Sequence, residues 1–150
     1  MRYLSALFTC LLLSFPALAN DANETNPHDV YGLWSTEAKT AHVDIADCGD
    51  GTPCGTIVWV KAPEGVVVRD TENPDPALRD TPLVGVKMIY GFERKSSAWK
   101  KGQIYDPSNG KSYKSAIKLK ADGTLEMKGC VGPICKTQIW TAVTEPEQNN

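Results

Sequence analysis

The chain has 150 residues, a formal net charge of −2, 41% hydrophobic residues and five cysteines. That length suits one domain with one core. The mild acidity gives no basic footprint for nucleic acid, which excludes that class of partner.

The chain opens with MRYLSALFTCLLLSFPALA. Arg2 supplies a charged start, Leu4 to Phe15 an apolar run, and Ala17-Leu18-Ala19 a small-x-small cleavage signal. Residues 1–19 therefore read as a secretory signal peptide, with a mature chain beginning at Asn20. The apolar run is too short to span a bilayer, and no later stretch is apolar enough to do so. The protein is expected to be exported, and not an integral membrane protein. Cys10 lies inside the leader, and Leu7-Phe8-Thr9 before it is a poor lipobox. Residues 20–29 are polar, contain Pro27, and read as a flexible tail with a solvated His28. Residues 145–150 read as a second flexible tail, leaving 30–144 as the folded domain.

Strand signals follow in order. They fall on Val30 to Thr36, Ala41 to Ala46, Cys54 to Val60, Val84 to Glu93, Ala98 to Tyr105, Lys111 to Lys120, Thr124 to Val131 and Cys135 to Val143. The alternation assigns faces. Val43 and Ile45 oppose His42 and Asp44. Val86, Met88, Tyr90 and Phe92 share one face. Tyr113, Ile117 and Leu119 oppose Lys114, Lys118 and Lys120. Leu125, Met127 and Val131 fall together. Asp50-Gly51, Asn109-Gly110 and Asp122-Gly123 supply hairpin chemistry. Helical periodicity is confined to one short turn at Pro76 to Asp80, with Asp75 as its cap.

The run from Lys61 to Gly85 differs from the rest. It holds Pro63, Pro74, Pro76 and Pro82, so it is no central strand. Its apolar residues, Val66 to Val68, Leu78, Leu83 and Val84, give it something to bury. It reads as an ordered lid. The fold expected is all-β: a single up-and-down antiparallel barrel of about eight strands, with one long ordered loop between strands three and four. Closure removes exposed edges, and a barrel of that size is either filled by side chains or holds one small ligand. In such a meander the connections after strands one, three, five and seven share one end. The long loop should then lie beside Tyr105, Asp106 and Lys111.

Outside the leader, four cysteines remain: Cys48, Cys54, Cys130 and Cys135. In an exported chain disulfides are the default, and four cysteines allow three connectivities. The local pairs Cys48–Cys54 and Cys130–Cys135 each bracket a turn, GDGTP and VGPI, and are the pairing expected. A four-thiolate zinc site is the alternative, but the spacings are looser than CxxC.

Four ordered stretches carry a family likeness: CGDGTPCGTIVWVKAP, DTENPDPALRDTPLVG, WKKGQIYDPSNGKSY and GCVGPICKTQIWT. Together they resemble the bacterial domain of unknown function 2147, an exported, lipocalin-like family, over about Val30 to Thr141. The resemblance implies a calycin-type barrel and a periplasmic home. Gly32-Leu33-Trp34 also resembles the G-x-W of the first lipocalin strand. The family's motif positions fall on Asp70, Asn73, Pro74, Asp75, Arg79, Pro82 and Gly85, then on Trp99, Gly102, Ile104, Tyr105, Asp106, Pro107, Gly110 and Tyr113, and later on Gly129, Gly132, Gln138 and Trp140. Two positions depart from its pattern. Thr81 stands where a second Arg usually precedes the Pro-Leu pair, and Ala142 where an Arg usually follows the closing Trp-Thr. In lipocalins a late Arg packs over the first-strand Trp, a contact Ala142 cannot make.

Candidate ligand-binding residues are Asp70, Asn73, Asp75, Arg79, Tyr105, Asp106 and Tyr113. Arg79 can offer a planar fork to a carboxylate or phosphate. The competing reading is structural: Asp70 or Asp75 pairs with Arg79, and Asn73 caps the loop backbone. Asp70, Glu72 and Asp75 lack the spacing of a calcium loop, so no metal is assigned. Asp106-Pro107 and Asn109-Gly110 are also explained by turn geometry. No catalytic residue is assigned. His42 is the only base expected in the folded domain, and there is no G-x-S-x-G elbow, P-loop, dinucleotide fingerprint or H-E-x-x-H. No cofactor is called for, and the chain reads as a non-enzyme. The reading expected is a periplasmic lipocalin-like protein binding a small apolar or amphipathic ligand in its barrel, with Arg79 and Tyr105 orienting the polar end. The alternative is a filled barrel that engages an envelope protein partner through the long loop. An exported hydrolase ranks last.

Overall fold

Alternating apolar and polar residues cannot bury a face alone, so successive strands of this chain roll into a closed sheet. A computed structural model describes residues 26–144. The stretch read as a signal peptide, most of the stretch read as an N-terminal tail, and residues 145–150, read as a C-terminal tail, lie outside the described residues. The strands are β1 (Gly32–Ser35), β2 (Ala41–Asp47), β3 (Pro53–Val60), β4 (Lys87–Tyr90), β5 (Glu93–Lys95), β6 (Ala98–Asp106), β7 (Lys111–Leu119), β8 (Leu125–Val131) and β9 (Ile134–Ala142). One 3-10 turn, Pro76–Leu78, is the only helix among the described residues.

Every pairing is antiparallel and joins neighbours in the chain except β4 with β6, and β9 returns to β1 at Trp34↔Ala142 and Ser35↔Thr141. The region read as one strand, Val84 to Glu93, is split. Gly91, at φ 73°, breaks it into β4 and β5, and both pair with β6. The two pieces act as one stave, so the barrel closes with eight. The split also corrects a face. Ile89, not Tyr90, belongs to the core with Phe92, while Met88 packs partly against it. The ladder shifts register at Gly55/Thr56. Ile89 then lies over Gly55, where an added Cβ would sit 2.3 Å from it, and Phe92 lies over Gly102 in the same way at 2.4 Å.

The core gathers Val30, Trp34, Val43, Ile45, Ile57, Ile89, Phe92, Trp99, Ile117, Leu125, Met127 and Trp140. Val43, Ile45, Ile117, Leu125 and Met127 are the inward residues that the alternation assigns. His42 keeps the opposite face that the alternation assigns, yet it is not exposed there. It is buried on the outer face by stacking on Trp59, with ring centroids 4.4 Å apart.

One end of the barrel is plugged. The N-terminal tail was expected to float, but its last residues are part of this plug. The backbone N–H of Leu119 donates to the Pro27 carbonyl at 2.9 Å. The indole of Trp99 donates to the His28 carbonyl at 2.9 Å, and the His28 ring meets Trp99 edge-on while bonding the Lys95 carbonyl. His28 is therefore buried, not solvated. The indole of Trp34 donates to Val30 O at 2.9 Å. The cation over an indole comes from Arg94, 5.4 Å above Trp99, while Ala142 simply pairs with Trp34 in the ladder. Cys48–Cys54 clips the β2–β3 turn and Cys130–Cys135 the β8–β9 turn, as the local pairing requires. Each closes a loop short enough to stabilise by about 2 kcal/mol on the chain-entropy view.

Candidate functional site

The other end is open. A cavity of about 800 Å³ descends between the β1–β2 connection, the stretch between β3 and β4, the β6–β7 hairpin and the β8–β9 hairpin. These are the four connections that strand parity assigns to one end. The deep wall is apolar: Ile57 from β3, Met88 from β4, Ile104 from β6 and Met127 from β8. Val68 and Leu83 cover it from the β3–β4 connection. Polar groups come from Glu37, Lys61, Tyr105, Asp106 and Lys136, and two more lie level with the apolar wall, Tyr113 across from Ile104 and Gln138 across from Met127.

Of the seven candidate ligand residues, Tyr105, Asp106 and Tyr113 line this cavity. The other four do not, and their hydrogen bonds run within the β3–β4 connection or back to β6. Asp70 is 1% exposed. Its Oδ1 accepts from the Tyr105 hydroxyl at 2.6 Å and its Oδ2 from Asn73 Nδ2 at 2.6 Å. Its backbone N–H reaches Thr81 O, and its carbonyl accepts from Asn73 N, each at 2.9 Å. Burial, and then the adjoining Asp70 carboxylate, push the Tyr105 hydroxyl well above the usual phenol range. A buried carboxylate needs such partners, because stranding it without them costs far more than the bonds return. Asp70 and Tyr105 therefore fasten the middle of the connection to β6.

Asn73 passes the order along. Its Oδ1 accepts from Asp75 N at 2.9 Å, and Asp75 Oδ1 accepts from Ala77 N at 2.9 Å, capping the 3-10 turn. Arg79 is exposed, and its Nε donates to the Asn73 carbonyl at 2.9 Å. Neither Asp70 nor Asp75 forms an ion pair with it among the described residues. Arg69, beside Asp70, holds the Asp80 carbonyl, and a single bridge joins Arg69 to Pro82. Among the described residues no three acids or other donors converge on a metal position.

The β6–β7 hairpin is the second anchor. Asp106 Oδ1 accepts from Ser108 N and Oγ at 3.0 and 2.7 Å, and its Oδ2 accepts from Asn109 Nδ2 at 3.1 Å. The same Asn109 amide donates to the Tyr113 hydroxyl at 3.0 Å. Gly110 ends the turn at φ 67°, and a Cβ there would meet the Glu72 carbonyl oxygen at 1.8 Å. Only glycine lets the hairpin and the connection pack this closely.

Lys61, Glu37 and Lys136 were not singled out from the sequence, and Gln138 entered only as a family motif position, not as a ligand contact. The signal for two of them was present. Ile134, Lys136, Gln138 and Trp140 alternate along β9, so an inward Trp140 places all four on the inner face. Gln138 Oε1 accepts from the Trp140 indole at 2.9 Å. Glu37 Oε1 accepts from Ile139 N at 3.1 Å, tying the β1–β2 connection to β9. For a hydrolase His42 would need an acid to orient it, and among the described residues no carboxylate hydrogen-bonds to its ring.

A solved structure matches with a TM-score of 0.68 at 20% identity, covering 78% of this chain and 84% of the other. It is described as protein HP1028 from the human pathogen Helicobacter pylori, belonging to the lipocalin family. The likeness extends to the fold: a closed eight-stave antiparallel barrel. Comparison with curated proteins finds no match. A family model described as an uncharacterized protein conserved in bacteria, DUF2147, matches residues 32–142. That span runs from the first barrel strand to the last, and the chain belongs to this family.

Proposed function

We propose that this chain is a periplasmic binding protein that holds one small apolar or amphipathic molecule in the open end of its barrel. The observation that carries the reading is the cavity itself. It is about 800 Å³, walled largely by aliphatic and thioether side chains, with a few polar groups set among them and around them. That is the make-up of a small-molecule site. Its volume also argues against a filled interior, on which the alternative of an envelope interaction module depends. Two disulfides and the leader-like first residues support an oxidising, exported setting. No helix among the described residues is long and apolar enough to cross a membrane.

In this reading Tyr105, Asp106 and Tyr113 face the ligand. Asp70, Asn73, Asp75 and Arg79 contribute by holding the β3–β4 connection over it. The test is a cavity-filling variant. A Cβ at Gly129 meets Ile104 and Tyr113 only at ordinary contact distances, so a side chain fits there and occupies the interior. Gly129→Leu should lower affinity for the neutral apolar dye N-phenyl-1-naphthylamine at least about tenfold, while the melting temperature holds within a few degrees. Unchanged dye binding in a folded Gly129→Leu protein places the dye elsewhere and sinks the proposal.

A further inference from the structure

Four charged side chains reach the cavity, and they are not equivalent. Glu37 already accepts from the backbone of Ile139. Asp106 has both carboxylate oxygens engaged by Ser108 and Asn109. Lys61 and Lys136 have neither an ion-pair partner nor a side-chain hydrogen bond among the described residues. The uncommitted charge at the mouth is therefore positive on both sides of the ledger.

Lys136 is placed for more than solubility. It sits on the inner row of β9, between Gln138 below and Ile134 at the rim. Its ladder partner is Gly129, which has no side chain to fill the space beside it. The inner row thus grades from a fully buried Trp140 through Gln138 and Lys136 to Ile134, 77% exposed. An ammonium on an inward row above an apolar floor suits a ligand with an apolar body and an anionic head.

We propose that the cavity selects single-chain amphiphiles bearing an anionic head, a carboxylate, sulfate or phosphate, with Lys136 as the main head-group contact and Lys61 as the second. The proposal rests on the cavity reading above and specifies its ligand class. Both lysines are solvent-exposed, so the attraction is screened and salt should weaken it. The neutral tail contributes most of the affinity, and the lysines supply the discrimination between heads.

Calorimetric titration of the full mature protein with palmitate, hexadecanol and hexadecyltrimethylammonium, below their aggregation thresholds, tests this. Palmitate should bind about tenfold or more tighter than hexadecanol, and the ammonium amphiphile weakest. In Lys61→Gln/Lys136→Gln the ratio of palmitate to hexadecanol affinity should shrink to about twofold. Both lysines are exposed, so this variant is expected to fold, and thermal melting confirms it. Equal affinity for palmitate and hexadecanol in the unmodified protein overturns the head-group inference and leaves the cavity reading standing. No saturable uptake of any of the three overturns both.

Discussion

The two ends of this barrel are built from the same strands and do opposite things. At the closed end the tryptophans are held by specific partners. Trp34 and Trp99 spend their indole N–H groups on the carbonyls of Val30 and His28, and Arg94 lies over Trp99. At the open end the polar side chains bond mostly within turns, and the space between them is left empty. Closed-end packing is local in space and apolar. Open-end order depends on a few long-range polar contacts, chiefly Asp70 with Tyr105 and Glu37 with Ile139, and on the close approach of the Glu72 backbone to Gly110. Stability is thus invested at one end and shape at the other, which leaves room for a ligand without an unstable barrel.

The largest effect is expected at the closed end. Trp99→Ala removes a buried indole, its bond to His28 and the seat of Arg94. It should cost about 3–5 kcal/mol and lower the melting temperature by about 10 °C or more. A loss of under about 1 kcal/mol would mean that the plug is not what stabilises the barrel.

Gly110→Ala comes next. It forces a Cβ into the Glu72 carbonyl and a non-glycine residue into positive φ, so about 1–3 kcal/mol should be lost. The damage should be confined to the open end. Hydrogen exchange should speed up in residues 61–86 with little change in β1 and β2.

Tyr105→Phe leaves Asp70 with one fewer donor, at a cost of about 1–3 kcal/mol near neutral pH. The pH dependence is distinctive. The folded protein holds the Tyr105 proton more tightly than the unfolded chain does. Its contribution is full below pH about 10, the unfolded phenol value, and is lost as pH rises toward the higher folded value. The stability gap between the unmodified protein and Tyr105→Phe should therefore narrow above pH 10. Denaturant titrations from pH 8 to 11 that run parallel would contradict the buried hydroxyl–carboxylate contact.

Arg79→Ala should have the smallest effect. It removes one exposed hydrogen bond to the Asn73 carbonyl, for about 0.5–1 kcal/mol, and should change dye affinity less than about twofold. A strong loss of binding would return Arg79 to the site as a direct contact.

What could be read from the sequence divides along the same line. Strand alternation fixed inward residues such as Val43, Ile117 and Met127, because a period of two survives any detail of packing. Turn chemistry and parity placed four connections at one end. The break at Gly91 was not legible, since a glycine in a strand signals a bulge, a bend or nothing. His28 looked solvated because its partners, Trp99 and Lys95, lie 71 and 67 residues away. The same holds for Asp70. Its neighbours suggested Arg79, but the contact made is Tyr105, 35 residues on. Short-range pairing is visible in sequence, whereas a carboxylate's choice among distant donors depends on where the β3–β4 connection folds back. Lys136 was missed for a different reason: no faces were assigned along the last strand, although parity with Trp140 puts Lys136 on the inner row.

The measurement that bears most directly on the central claim is native mass spectrometry of the mature protein recovered from the cell envelope, repeated after denaturation. The account predicts a discrete extra mass that leaves on unfolding, with an anionic amphiphile released. A bare protein mass, with none gained after incubation with excess palmitate, would contradict a ligand-holding barrel.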